Sequence, residues 1–313
     1  MILDMTTYQH IPHQGVWPAL LTPLNADLSI NIDSFASHAK ALLAAGCTGV
    51  TPFGTTGEGP SFTVAERIAA IDGLIARGVP ANRILVSTSC AALPDTVTLT
   101  RHATEVGAHG CLMLPPFFLK GITDQGVIDS YRFVIDQVPT ARMVLYHLPQ
   151  VAYVNLTQRA VDVLTAQYPN TFIGIKDSSG DKDGSLAFAK NSRGMQVWVG
   201  NETHLRIMAE QGSNGAVSGV ANVMPRLVQR LTSKFDANGY DKNQAAQDLS
   251  RVKAFIDILN TLGMAATFKA IMAIKNNDKG WLRVRPPLVA LNDEKFEQLK
   301  AIMKDFSLDS AHD

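Results

Sequence analysis

Short apolar runs alternate with helical segments, and this predicts an α/β fold: a (β/α)8 TIM barrel with extra helices at its C-terminal end. Three observations carry the prediction. Eight runs recur at 16–21, 49–53, 84–87, 110–114, 143–146, 172–176, 197–200 and 216–218, with successive starts 19 to 35 residues apart. A strand–helix pair needs about 30 residues. The runs are apolar on both faces, as parallel strands covered by helices must be, and the segments between them carry helix punctuation. An open doubly wound sheet is the competing arrangement, and spacing does not separate the two.

The elements follow in order. After the first run, Asp33 stands before Phe35, Ala39, Leu42 and Leu43 at helical spacing, and Gly46 ends the segment. After the second, Thr63 and Glu66 form a capping box, in which hydroxyl and carboxylate satisfy amide donors that the first helical turn leaves free. Val64, Ile68, Ile71 and Ile75 continue that helix, and Gly78 suits its C-terminal turn. Val127, Ile128, Tyr131, Val134 and Ile135 mark a helix between the fourth and fifth runs, while Asn155 opens another that Pro169 closes. Beyond Ser218 the pattern changes. From about 225 to 307 it is helical throughout, which predicts two or three helices beyond those of a barrel. Residues 1–224 are therefore expected to form the barrel and 225–313 a helical extension packed on it.

Composition narrows the function. The 313 residues carry 28 Lys and Arg against 28 Asp and Glu, and 46% are hydrophobic. That excludes bulk disorder, and it argues against nucleic acid or an anionic membrane as partner. Cys47, Cys90 and Cys111 are an odd number in a long chain, which points to reduced thiols in a cytoplasmic protein rather than a disulfide framework. No apolar run is long enough to span a membrane, and the first fifteen residues show no signal peptide pattern.

In a barrel, chemistry belongs at the C-terminal strand ends. The second run ends in Phe53-Gly54-Thr55-Thr56-Gly57-Glu58-Gly59, where glycines permit positive φ or close approach and amides with two hydroxyls suit a carboxylate or phosphate. A plain glycine turn is the alternative. The fifth run ends in Tyr146, either a proton donor in a dry site or a core phenol with its hydroxyl satisfied; its neighbour His147 should point to the other face. The sixth run ends in Lys176. Taking an ammonium out of water favours the free amine, which attacks carbonyls, whereas an ion pair with Asp177 would make the lysine structural. His102 and His109 read as surface residues and the cysteines as core. No metal-ligand spacing is present.

Together these segments resemble the dihydrodipicolinate synthase/N-acetylneuraminate lyase family of Schiff-base, pyruvate-related aldolases. The marks are Gly54 to Glu58, Tyr146 to Pro149, Gly174 to Asp177, Gly200-Asn201-Glu202 and Gly215 to Asn222, in order. The resemblance implies a barrel, commonly a homotetramer built as a dimer of dimers, with no metal or organic cofactor. It implies Lys176 as the Schiff-base residue and Tyr146 as the proton shuttle. Thr55 and Thr56, with amides of the loop from Gly54, would hold the carboxylate of a small-molecule 2-oxo acid, and Val217 would give a backbone contact near the imine. Ser178, Ser179, Gly200, Asn201, Glu202 and Ser218 occupy positions that sugar-acid lyases use for substrate hydroxyls.

Two departures shape the expectation. Where synthases carry an arginine after Tyr-x-x-Pro, this chain has Val151, and where many members place a subunit-crossing tyrosine it has Phe117 and Phe118. The expected function is a lyase that cleaves or condenses pyruvate with an aldehyde, of the 2-keto-3-deoxy sugar-acid type. The alternatives are 4-hydroxy-tetrahydrodipicolinate synthase, a dehydratase or deaminase using the same enamine, and a non-catalytic sugar-acid-binding regulator.

Overall fold

The computed structural model describes residues 13–235, 239–306 and 308. The first fifteen residues, read above for a signal peptide, fall largely outside this range, as do Ser307 and the end of the predicted extension.

Seven parallel strands make one sheet: β1 (Gly15–Pro18), β2 (Leu85–Ser87), β3 (Gly110–Met113), β4 (Met143–His147), β5 (Phe172–Asp177), β6 (Gln196–Val199) and β7 (Gly215–Ser218). Their order is β1-β7-β6-β5-β4-β3-β2. The second predicted strand, 49–53, is reduced to two single parallel bridges, Ala19 to Thr51 and Val50 to Ile84. Those bridges close the ring. Thr51 N–H donates to Pro18 O at 2.8 Å on one side, and Leu85 N–H donates to Val50 O at 2.9 Å on the other. Regular pairing stops there because Pro52 has no N–H and Phe53 takes a left-handed φ of 62°. Closure decides against the open sheet.

Helices α1 (Ile32–Ala44), α2 (Val64–Ala76), α3 (Leu93–Glu105), α4 (Asp124–Gln137), α5 (Pro149–Ala152), α6 (Gln158–Gln167), α7 (Lys182–Lys190), α8 (Leu205–Glu210) and α9 (Pro225–Thr232) lie between or after the strands. The Thr63–Glu66 capping box is formed. Two helix starts differ from expectation: α1 is capped by Asn31, whose side chain accepts from Ser34 N, and α6 by Thr157, which accepts from Ala160 N. Asp33 instead sits in the first turn of α1, where a carboxylate suits the helix dipole. Helix α9 leans on β1 and β7. Three further helices follow: α10 (Lys242–Leu262), α11 (Met264–Asn276) and α12 (Asp293–Asp305). Helices α10 and α11 meet at 111° across Gly263, whose φ is +96°. No single helix among the described residues is long and apolar enough to cross a membrane.

Strand side chains divide between two cores. Val16, Ile84, Cys111, Met143, Ile175, Val197 and Ala216 face the helices. Trp17, Leu85, Leu112, Val144, Tyr146, Trp198 and Val217 fill the barrel interior. Trp198 needs Gly174 beside it, because a Cβ there would stand 2.2 Å from the indole. His109 belongs to this floor, not to the surface as expected. It is 2% exposed, stacks on Trp17 at 4.5 Å and lies 2.9 Å from His13. Cys47 and Cys111 are buried, and burial pushes the Cys111 thiol up to about 12. Cys90 is only half-buried, with its Sγ 3.7 Å from Arg67.

Candidate active site

Lys176 and Tyr146 meet because of one irregularity in the sheet. Met143 pairs with Phe172, but Val144 pairs with Gly174, so β5 holds an extra residue at Ile173. Without that slip Tyr146 would sit beside Ile175, which faces outward. With it, Tyr146 pairs with Lys176. Bulges of this kind re-aim side chains next to active sites. Lys176 Nζ stands 4.1 Å from the centroid of the Tyr146 ring. The two residues are 5% and 3% exposed. Among the described residues the Tyr146 hydroxyl has no protein hydrogen-bond partner, so it is not the satisfied core phenol of the alternative reading.

Asp177 is not the ion-pair partner of Lys176. It lies on the opposite strand face and accepts from Ser185 Oγ at 2.5 Å and Ser179 N at 2.9 Å. His147, on the same outer face, stands 3.2 Å away but poorly aligned for a hydrogen bond. Burial pushes the Asp177 carboxyl up; contacts to His147, Ser185 and Ser179 outweigh it and hold the group below the usual carboxylate range. Lys176 is thus left without a carboxylate partner among the described residues, and its amine end faces a cavity.

That cavity has a volume of about 440 Å³, within the usual size for small-molecule sites. It opens at the C-terminal strand ends. Tyr146 and Lys176 line it with Thr55 and Thr56 from the loop after residue 53, and Val217 from β7. The loops after β5 and β6 add Ser178, Gly180, Gly200, Asn201 and Glu202. Among the described residues Lys176 is the only cation in the lining and Glu202 the only acid. Burial pushes the Glu202 carboxyl up; hydrogen bonds from Ser218 at 2.5 Å and Val220 N at 3.2 Å, and the Lys176 charge, oppose the rise without cancelling it.

Not every expected residue reaches the cavity. Ser218 is fully buried behind Glu202, donating to it and accepting from Ala221 N at 3.0 Å. Gly54 is buried outside the lining, and Ser179 turns to Asp177 and Asp181. Phe118 is 89% exposed, and Phe117 packs on the outer core; neither lines the cavity. In the loop, positive φ falls on Phe53 and Glu58, not on its glycines. Gly59 serves instead for close approach, since a Cβ there would strike the Phe53 carbonyl.

Sequence reasoning missed the roof. Ile256, Leu259 and Asn260 of α10, with Met264 and Phe268 of α11, line the cavity, as do Gln150 and Val151 of α5. The bend at Gly263 brings both long helices to the mouth. Gly263 between two amphipathic segments was the available signal for a turn, but nothing local says where the turn packs. Among the described residues no cluster of His, Cys, Asp and Glu is arranged to hold a metal ion.

Comparison with known proteins agrees with this geometry. The model of the dihydrodipicolinate synthetase family matches residues 12–306. An uncharacterized DapA-like lyase of Chloroflexus aurantiacus is 31% identical over 290 residues, covering 92% of this chain and 95% of that protein. The crystal structure of dihydrodipicolinate synthase from Agrobacterium tumefaciens superposes with a TM-score of 0.85 at 29% identity, covering 93% and 99% of the two chains. A Ruminococcus gnavus sialic acid aldolase shares the fold with a TM-score of 0.81 at 23% identity, covering 94% and 98%. A family match over nearly the whole chain, on a closed barrel with an amine and a phenol at its mouth, makes this protein a member of the dihydrodipicolinate synthetase family and an enzyme of the lyase class.

Proposed function

We propose that the protein is a Schiff-base lyase that cleaves or forms a carbon–carbon bond of a 4-hydroxy-2-oxo acid, of the 2-keto-3-deoxy sugar-acid type, with pyruvate as the common fragment. The observation that carries this reading is the buried Lys176 amine, unpaired with any carboxylate among the described residues and lying over the Tyr146 ring at 4.1 Å. The amine adds to the keto carbon, and water leaves to give a protonated imine. Tyr146 removes the proton from the 4-hydroxyl, the C3–C4 bond breaks, and its electrons enter the imine as an enamine while the aldehyde departs. Protonation at C3 and addition of water then release pyruvate and the free amine. The protonated imine supplies the electron sink, and Thr55 and Thr56 hold the carboxylate so that the keto carbon faces the amine.

Hydroxyl-binding groups support the sugar-acid class: Ser178, Asn201 and Glu202 line the cavity, joined by Gln150 and Asn260. A second reading, 4-hydroxy-tetrahydrodipicolinate synthase, is favoured by the Agrobacterium neighbour. Against it stands Val151 at the mouth, which leaves a second substrate carboxylate without a cationic partner in a lining whose only cation among the described residues is Lys176. A charged hydrogen bond of that kind contributes about 1.5–3 kcal/mol. The three free cysteines fit a cytoplasmic enzyme, and the family resemblance supports a homotetramer, to be measured by light scattering.

Borohydride reduction with pyruvate, followed by peptide mass mapping, tests the chemistry. The adduct is expected on Lys176 and absent from Lys176→Ala; an adduct elsewhere, or none, removes the mechanism. An acceptor screen tests the substrate class, and aspartate-semialdehyde as best acceptor would overturn the argument from Val151. Loss of water or ammonia without carbon–carbon cleavage would move the assignment to the dehydratase or deaminase alternative.

A further inference from the structure

The mechanism leaves one buried ion pair unused. Glu58 lies two residues beyond Thr56, is 2% exposed and holds a left-handed backbone at φ 59°. Its side chain turns away from the cavity and pairs with Lys269 of α11, both side chains being fully buried. The contact is a charge pair and not an aligned hydrogen bond. Lys269 Nζ also donates to Arg283 O at 2.6 Å, and the second Glu58 oxygen accepts from Arg285 N at 3.1 Å. Burial pushes the Lys269 ammonium down, and the Glu58 carboxylate opposes it.

The pair spans two parts of the cavity wall. Glu58 belongs to the loop that carries Thr55 and Thr56. Lys269 follows Phe268, which lines the cavity from the roof. Phe268 and Thr56 also converge on one point: each would lie 3.3 Å from a Cβ placed on Gly219. A charge in this dry interior is costly unless its partner stays close, so the position of α11 and that of the threonine loop are fixed to each other. Turn bonds (Glu58 N–H to Thr55 O at 3.2 Å, Gly59 N–H to Gly54 O at 3.1 Å) and Thr22 Oγ1 donating to Gly57 O at 2.8 Å hold the loop to itself and to the segment after β1, and the Glu58–Lys269 contact ties it to α11.

We infer that Lys269 is a positioning residue: through Glu58 it holds Thr55 and Thr56 where they receive the carboxylate of the 2-oxo acid, and it ties that subsite to the roof helix. The inference rests on the proposed Schiff-base chemistry and deepens its carboxylate subsite.

The test compares borohydride trapping by pyruvate with trapping by acetone, a carbonyl compound without a carboxylate. The double variant Glu58→Gln/Lys269→Met removes both charges together and so strands neither. Its half-saturating pyruvate concentration should rise about tenfold or more, while trapping by acetone stays within about twofold of the wild type. The variant Glu58→Asp keeps the pair but draws the loop toward α11 by one carbon. It should show the same selective loss, a few-fold in size, and it covers the case in which the double variant does not fold. Equal losses for both probes would mean a structural role only, and no loss for pyruvate would also overturn the inference. If wild-type protein traps neither probe on Lys176, the Schiff-base reading itself fails and takes the inference with it.

Discussion

Replacing Gly200 by alanine tests how tightly Lys176 is placed. A Cβ there would stand 1.9 Å from Ser178 Oγ, 3.0 Å from Ser178 Cβ and 3.3 Å from Lys176 Cε. The backbone is pinned, because Gly200 N–H donates to Asp177 O at 2.8 Å. The Ser178 hydroxyl turns away easily, but its Cβ and the Lys176 Cε must each yield by a few tenths of an ångström. Overpacking costs about 1–3 kcal/mol, and the low end applies here because the new methyl borders an open cavity. The melting temperature should then fall by no more than about 2–4 °C. The amine suffers more, since a displacement of about 1 Å costs about a hundredfold in rate and a fraction of that about tenfold. The assay is the rate of borohydride trapping by pyruvate, beside thermal melting. Removing the Ser178 side chain as well, in Ser178→Gly/Gly200→Ala, eliminates the two shortest contacts and should restore trapping to within about threefold. Wild-type trapping in Gly200→Ala, or no recovery in the double variant, refutes the claim that packing at Gly200 sets the position of the amine.

Two further outcomes are expected. Tyr146→Phe keeps the ring under Lys176 and removes only the hydroxyl; turnover should fall by about 10²–10⁴ with the fold intact, and a loss below about tenfold would take Tyr146 out of proton transfer. Glu66→Gln should make stability depend less on pH in acid. The Arg285 guanidinium lowers the Glu66 carboxyl from 4.5 to about 2, so its contribution is full above about 4.5 and disappears as the pH falls through about 2. With the Glu66 side chain 35% exposed, solvent screening leaves about 1–2 kcal/mol of that contribution at neutral pH. Melting temperatures of both proteins from pH 7 to pH 2 check this, and a constant gap between them contradicts it.

What the sequence disclosed follows from what is local. Strands such as 110–114 and 172–176 were legible because burial on both faces leaves an unbroken apolar run. The box at Thr63 and Glu66 was legible because all its partners lie within four residues. Residues 49–53 have the same apolar signature, but one missing N–H at Pro52 reduces them to bridges. The meeting of Tyr146 with Lys176 depends on the slip at Ile173, and no residue type announces a bulge. Glu58 and Lys269 are far apart in the chain, so neither a buried acid nor a buried lysine could be paired in advance. Val151 reached the cavity mouth as its place after Pro149 implied. Phe117 and Phe118, expected on a subunit-crossing loop, lie on the loop after β3, with Phe118 exposed and Phe117 against the outer core.

The indoles of the barrel floor have an optical consequence. Of the three tryptophans in the chain, Trp17 and Trp198 are fully enclosed in the barrel and Trp281 is 4% exposed. Trp198 pairs in register with Lys176. Its indole, however, reaches down to Gly174 and Gly215, on the floor below the lysine. Two dry, rigid indoles on the floor therefore report on the barrel itself, so the intrinsic fluorescence of the unlabelled protein follows its folding rather than the chemistry at the mouth.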